Sequence, residues 1–129
     1  MTRQFVLEDQ FPGPLISLNA AYKMRNHERH AASVVWRDAV FWLTKATRPA
    51  PFDTKVRIGV TFVVRDPARQ RDGHNFVATT KPMIDGLRLA GLIVDDDVTR
   101  VVCDDVTFVG PSDGRKANTF IITVTEEPS

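Results

Sequence analysis

The sequence has few of the residues that mark secreted, disulfide-bonded proteins. Its 129 residues include a single cysteine, Cys103, whereas secreted domains of this size usually carry an even set of paired cysteines. We therefore expect a reducing compartment. Cys103 is interpreted as a small buried hydrophobe in a strand.

Long apolar runs and an excess of positive charge are also missing. No run approaches the ~18 residues of a membrane span, and segment 1–10 lacks the apolar core of a signal peptide. These absences predict a cytoplasmic protein without a membrane partner. With 17 Lys and Arg against 16 Asp and Glu, the basic balance of many nucleic-acid-binding proteins is absent. Composition alone does not indicate DNA, although clustered charges and bound metal ions still alter the local field.

The apolar residues present are sufficient for one core. They make up 43% of the chain, and its length falls within the ~100 to 200 residues of one domain. A chain of this size buries roughly two-thirds of its unfolded surface. Residues 1–129 are therefore predicted to form a single domain.

The spacing of the apolar residues predicts an α+β fold. Period-two or β-branched stretches predict strands around Phe5 to Leu7 and over 56–64, 98–109 and 118–125. The last two stretches, separated by the turn residues 110–114, are predicted to form a hairpin with a longer loop. With a helix over 30–47 and a shorter one before Gly91, we expect a small mixed sheet packed by two helices.

Each predicted helix has an apolar side. In the first, Val35, Ala39, Trp42 and Leu43 recur at helical spacing, and Trp36 and Trp42 are interpreted as core or dimer-interface residues.

In the second predicted helix, Pro82 belongs in the first turn, so Thr79 or Thr80 is the predicted N-cap and Gly91 the predicted C-cap. One face carries Met83, Ile84, Leu87 and Ala90, and another carries Lys81, Asp85 and Arg88.

Acidic residues cluster on either side of this second helix. Asp72 precedes it, and Asp95, Asp96 and Asp97 follow the short apolar run 92–94. Adjacent carboxylates repel one another, and a divalent cation such as Mg²⁺ or Mn²⁺ relieves that repulsion. Taken alone, an aspartate triplet is more typical of a solvated turn.

An ordered set of residues connects these acids to the helix. It runs from "RDGHN" at 71–75 through Lys81 to "DGLRLAGLIVDDD" at 85–97. In this order the chain resembles the RusA family of Holliday-junction resolvases, whose signature is Arg-Asp-x-Asp-Asn, a lysine, Asp-x-Leu on a helix, and Ala-Gly before paired aspartates. The matching positions are Asp72, Asn75, Lys81, Asp85, Leu87, Ala90, Gly91, Asp95 and Asp96. Looser agreement comes from Asn19, the basic segment 25–30 and Trp36-Arg37.

The resemblance implies a magnesium-dependent endodeoxyribonuclease that cuts four-way junctions as a homodimer, and such resolvases commonly resemble phage or prophage recombination functions. The implied catalytic residues are Asp72, Asp96 and Lys81, with Asp72 and Asp96 binding the metal. Lys81 would stabilise developing charge or orient water. The supporting residues are Asn75, Asp85 and Asp97, with Asp95 as a further metal ligand. The candidate phosphate contacts are Arg71, Arg25, Arg29, Arg115 and Lys116.

The chain departs from the family pattern at two points. His74 occupies the position of the second loop aspartate, and the segment from Asn75 to Lys81 is two residues longer than in the family. A neutral His74 imidazole would join the metal ligands and favour Mn²⁺, or His74 is a loop residue that contacts DNA or solvent. Asp95 and Asp97 either assist the metal or shape the turn. Asp85 either orients Lys81 or forms a weak exposed pair with it.

Two alternatives to an active nuclease stay open. The first is a branched-DNA-binding protein in which the His74 replacement has abolished catalysis. The second is a metal-dependent hydrolase of small phosphate esters. No glycine-rich phosphate-binding loop is present, so we expect no nucleotide cofactor. Phe76 is interpreted as a core residue rather than a wedge between bases.

Overall fold

The computed structural model describes residues 2–67, 76–94, 101–112 and 114–127. The elements are β1 (Gln4–Gln10), α1 (Leu18–Lys23), α2 (Asn26–Thr47), β2 (Val56–Val63), α3 (Val77–Leu89), β3 (Val101–Cys103), β4 (Thr107–Val109) and β5 (Thr119–Glu126). They form one mixed, open five-stranded sheet with three helices, which confirms the predicted α+β class and mixed sheet. The prediction of two helices missed α1, whose six residues are too few for a periodic signal.

The sheet has the order β1-β5-β2-β3, with β4 also beside β2. Strand β5 is antiparallel to both neighbours, whereas β3 and β4 run parallel to β2. The predicted hairpin is therefore wrong, because β4 and β5 lie on opposite sides of β2. The connection crosses the end of β2, where the Asn118 amide donates to the Val63 carbonyl at 2.7 Å. The connection from β4 to β5 is long enough to cross one strand, because the two strands on either side of β2 lie roughly 10 Å apart.

Strands β3 and β4 form one sheet edge that is interrupted by a bulge. Cys103 lies opposite Ile58, but Thr107 lies opposite Thr61. Four steps on this edge thus match three on β2, so the edge contains one extra residue. Cys103 is exposed, which makes its predicted burial wrong. No described strand covers the outer side of this edge.

The core lies between the helices and one face of the sheet. Alternate residues of β2 and β5 are buried, among them Phe62 and Phe120. The Trp36 ring packs 6.0 Å from the Phe62 ring and 5.8 Å from the Phe120 ring, between centroids. Its indole Nε1 donates to the Pro14 carbonyl at 3.0 Å. Trp36 is therefore a core residue, as predicted, and the opposite face of the sheet is left to solvent, as Val6 at 51% exposure shows.

Helix α2 buries a stripe that only partly matches the predicted one, since Leu43 packs against the core and Ala39 is half-buried. Trp36, Val40 and Thr44 are buried at intervals of four, whereas Val35 and Trp42 are 41% and 66% exposed. Helix α2 has apolar residues on more than one of its sides, so periodicity alone did not identify the stripe that meets the sheet. Trp42 is not a core residue.

Helix α3 begins earlier than predicted. Phe76 is the N-cap residue and Pro82 lies inside the helix, so neither Thr79 nor Thr80 is the N-cap. The Thr79 hydroxyl is buried and instead bonds the Ile16 backbone, accepting from its amide at 2.8 Å and donating to its carbonyl at 2.9 Å. Phe76 is buried, with its ring centroid 5.2 Å from that of Phe108, which confirms core packing.

The end of α3 follows the prediction closely. Ala90 is the C-cap residue, and Gly91 follows it with φ at +85°. The Gly91 amide bonds the Arg88 carbonyl, and the Leu92 amide bonds the Leu87 carbonyl at 3.1 Å. This is the Schellman arrangement, in which a glycine adopts the left-handed conformation at low steric cost. The buried Leu87 and Leu92 side chains anchor the reversal.

Candidate functional site

A close helix contact positions the candidate site. At Gly86 of α3, an added Cβ would lie 2.5 Å from the Arg37 carbonyl oxygen and 3.0 Å from Val40 Cβ. Only a residue without a side chain therefore allows the two backbones to approach so closely. N-terminal to this contact, the two helices line a groove of about 370 Å³.

The groove combines positive charge with apolar surface. Its lining residues are Arg29, His30, Ser33, Val34 and Arg37 from α2, and Val77, Ala78, Lys81, Pro82 and Asp85 from α3. Three of these side chains are permanent cations and one is a carboxylate. Such a surface is suited to an anion that also carries an apolar part.

The arginines of the groove bond few groups within the described part of the chain. Arg37 Nε lies 3.1 Å from Asp38 Oδ1, and Arg29 makes one 3.5 Å bond to the Met24 carbonyl. A guanidinium has five N–H donors, so the described residues leave most of these donors without a partner. Lys81 is exposed and Asp85 half-buried. These two share the groove, but no ion pair within 4.0 Å joins them.

The predicted metal ligands lie outside the described residues. Arg71, Asp72, His74 and Asn75 fall in segment 68–75, and Asp95, Asp96 and Asp97 fall in segment 95–100. Within the ranges that the structure describes, no group of three or more His, Cys, Asp or Glu side chains is placed to hold a metal ion. The ligand set therefore stays a prediction.

The two segments that contain the predicted metal ligands lie before and after α3 in the chain. Segment 68–75 joins the helix at Phe76, beside the groove residues Val77 and Ala78. Segment 95–100 follows Val94, beyond the glycine that ends the helix. The thirteen residues of α3 span about 20 Å from one end of the helix to the other.

The predicted phosphate contacts divide into two groups. Arg25 and Arg29 lie at the start of α2, with Arg25 Nε 3.9 Å from a Glu28 carboxylate oxygen. Arg115 instead donates from Nε to both Glu8 carboxylate oxygens, at 3.1 and 3.2 Å. Lys116 lines a separate shallow cleft with Glu8. Arg115 and Lys116 thus lie beside β1, among carboxylates, and do not contribute to the groove.

Sequence reasoning missed several groove residues. Ser33 and Val34 received no role, and His30 and Arg37 entered only through the loose family match. One signal was available, because Arg29, Ser33 and Arg37 recur every four residues. That interval places side chains on one face of a helix.

An ion network on the solvent face of the sheet is separate from the groove. Arg57 bonds Glu127 at 3.0 Å and also pairs with Asp104. Hydrogen bonds from Arg57 lower the pKa of Glu127, and Glu127 and then Asp104 raise the pKa of Arg57. This network links strands of the sheet. None of its three residues lines the groove that contains Lys81.

No protein-family model matches the chain, and no curated protein matches it. Among the described helices, none is both long and apolar enough to cross a membrane.

Proposed function

We propose that the protein is a metal-dependent endodeoxyribonuclease that resolves Holliday junctions and other branched DNA by paired, symmetric phosphodiester hydrolysis. The observation that carries the proposal is the position of Lys81. It occupies the lysine position of the ordered motif, and it lines a groove with Arg29 and Arg37 beside the attachment point of segment 68–75. Asp72 and His74 are thus within chain reach of a cationic surface.

The donor set fits a hard divalent cation. Asp72, Asp95 and Asp96 offer only oxygen ligands, which suit Mg²⁺, and a neutral His74 nitrogen would extend the preference to Mn²⁺. Such an ion, when bound, supplies a nucleophilic hydroxide and neutralises charge on the phosphate. Lys81 stabilises the charge that develops on the phosphate oxygens, and Arg29 and Arg37 hold the flanking strand.

Branched DNA and a homodimer follow from the same proposal. A four-way junction is resolved by cuts in two strands related by a two-fold axis. A two-fold homodimer presents two identical sites in the matching arrangement. The net charge of +1 gives little general attraction for DNA, so affinity depends on local clusters such as the groove.

Cleavage of a labelled four-way junction tests the proposal. The junction and a linear duplex of the same arms are incubated with Mg²⁺, Mn²⁺ or chelator. The variants are Asp72→Asn, Asp96→Asn and Lys81→Gln, with Asp53→Asn as a matched control at an exposed aspartate outside the motif. We expect paired symmetric nicks in the junction alone, lost with chelator and in the three motif variants but retained in the control. Equal cleavage of the duplex, or full activity of Asp72→Asn, would contradict the proposal.

The His74 position favours a second candidate, a branched-DNA-binding protein without catalysis. Replacing a carboxylate by an imidazole removes one negative charge from the metal site and weakens Mg²⁺ binding. Calorimetric titration with Mg²⁺ and Mn²⁺, on wild type and Asp96→Asn with junction present, separates the two. Tight junction binding without carboxylate-dependent metal binding supports the silent protein. Restored cleavage in His74→Asp would show that this position alone silences the site.

A further inference from the structure

The groove between α2 and α3 has a mixed chemistry that metal-dependent hydrolysis alone does not require. Phosphate recognition needs only the cations Arg29, Arg37 and Lys81. The groove also contains an apolar patch formed by Val34, Val77, Ala78 and Pro82. Val77 is 45% exposed at the first position of α3, so part of its apolar side chain faces solvent.

The size and shape of the groove indicate a small ligand. Its volume of about 370 Å³ lies in the ~300 to 1,000 Å³ range of small-molecule sites. A duplex keeps its bases stacked, so it presents only phosphates and sugars to such a groove. An unpaired nucleotide presents a phosphate and the apolar face of a base together.

We propose that this groove binds one unpaired nucleotide of a DNA strand. The base lies on the apolar patch, and the phosphate contacts Arg29 and Arg37 at the rim. The inference rests on the proposed function for its biological substrate, because branch points are where duplex DNA exposes unpaired nucleotides. The binding site itself is defined by the groove residues and needs neither the metal ion nor cleavage.

Binding of a single nucleotide in the presence of chelator tests this inference. The probes are deoxyadenosine 5′-monophosphate, deoxyadenosine and deoxyribose 5-phosphate, titrated into ¹⁵N-labelled protein. We expect the nucleotide to shift the amide resonances of Ser33 and Ala78 and to bind at least about tenfold more tightly than either fragment, which corresponds to ~1.4 kcal/mol. Chelator excludes the metal, so a failure of the nuclease proposal leaves this result unaffected.

Two variants separate the parts of the groove. Arg29→Gln with Arg37→Gln should reduce nucleotide affinity to that of deoxyadenosine, and Arg88→Gln is the matched control, an exposed arginine of α3 outside the groove. Val77→Glu places a negative charge on the apolar patch. A glutamate in the first turn of a helix stabilises the helix. A loss of binding in Val77→Glu therefore reports a change in the groove and not unfolding of the protein.

The outcomes are distinct. The inference is supported by nucleotide binding that is stronger than fragment binding, that falls to the affinity of deoxyadenosine in the double arginine variant, and that is lost in Val77→Glu. Equal affinity for the nucleotide and deoxyribose 5-phosphate would show a phosphate site that serves duplex DNA, and would overturn it. Shifts outside the groove, or none, would also overturn it, whether or not the junction is cleaved.

Discussion

Thr79 connects the start of α3 to the segment before α1, and its loss should be costly. Its side chain is fully buried, and its hydroxyl satisfies both the amide and the carbonyl of Ile16. Thr79→Val retains the shape and removes the hydroxyl, leaving two backbone groups without this partner. Each buried unsatisfied group costs about 1 to 3 kcal/mol, and partial relaxation of the segment places the total near 2 to 4 kcal/mol.

Urea denaturation, followed by circular dichroism, measures this loss in unfolding free energy, and thermal denaturation measures the matching change in Tm. For a domain of this size, 2 to 4 kcal/mol corresponds to a decrease in Tm of roughly 8 to 15 °C. Thr79→Ser is the control, because it retains the hydroxyl and removes one methyl group at a cost of about 1 kcal/mol. A Val variant as stable as wild type, or a Ser variant as unstable as Val, would refute the role assigned to the hydroxyl.

Three further predictions concern other parts of the molecule. Gly86→Ala should destabilise the fold by about 1 to 3 kcal/mol, since its Cβ would meet the Arg37 carbonyl oxygen at 2.5 Å; an unchanged urea midpoint would contradict the close helix contact. Hydrogen bonds from Arg57 lower the pKa of Glu127, so that pair stabilises the fold above the ordinary carboxyl pKa of 4.5 and its contribution disappears as pH falls through the lowered value. The stability difference between wild type and Glu127→Gln should accordingly be present at pH 7 and shrink below pH 4.5; a constant difference would argue against the ion pair. Trp42→Ser should change the unfolding free energy by less than about 1 kcal/mol, and a larger loss measured on the monomer would mean that this exposed side chain packs in the fold.

Local patterns in the sequence predicted where the helices and strands lie better than they predicted which strands pair with each other. The alternation over 56–64 corresponds to β2, and Gly91 ends α3 where a left-handed residue is needed. Pairing was less predictable, because β-strand sequences do not specify which edge they join. The stretch over 98–109 was predicted to be the first strand of a hairpin, but the two strands described within it, β3 and β4, run parallel to β2 on the side away from β5.

The residues of the candidate site were likewise only partly predictable from local sequence. Lys81 and Asp85 were assigned from the order of motif residues, and both line the groove. Arg37 and Val34 were not, because a residue on α2 gains a role only when another helix packs beside it. Arg115 was assigned from its charge alone, and its bonds to Glu8 across 107 positions of sequence could not be seen in local pattern.

The sequence by itself determined the single α+β domain, the period of most of its elements, and the motif that carries the functional proposal. These properties depend on local spacing, because helices and strands repeat every 3.6 and 2.0 residues. Only the tertiary structure decided which face of α2 is buried, that Thr79 bonds Ile16 rather than capping a helix, and that α2 and α3 enclose a cationic groove. Those features depend on contacts between residues distant in sequence, such as Gly86 against Arg37, and no local repeat encodes them.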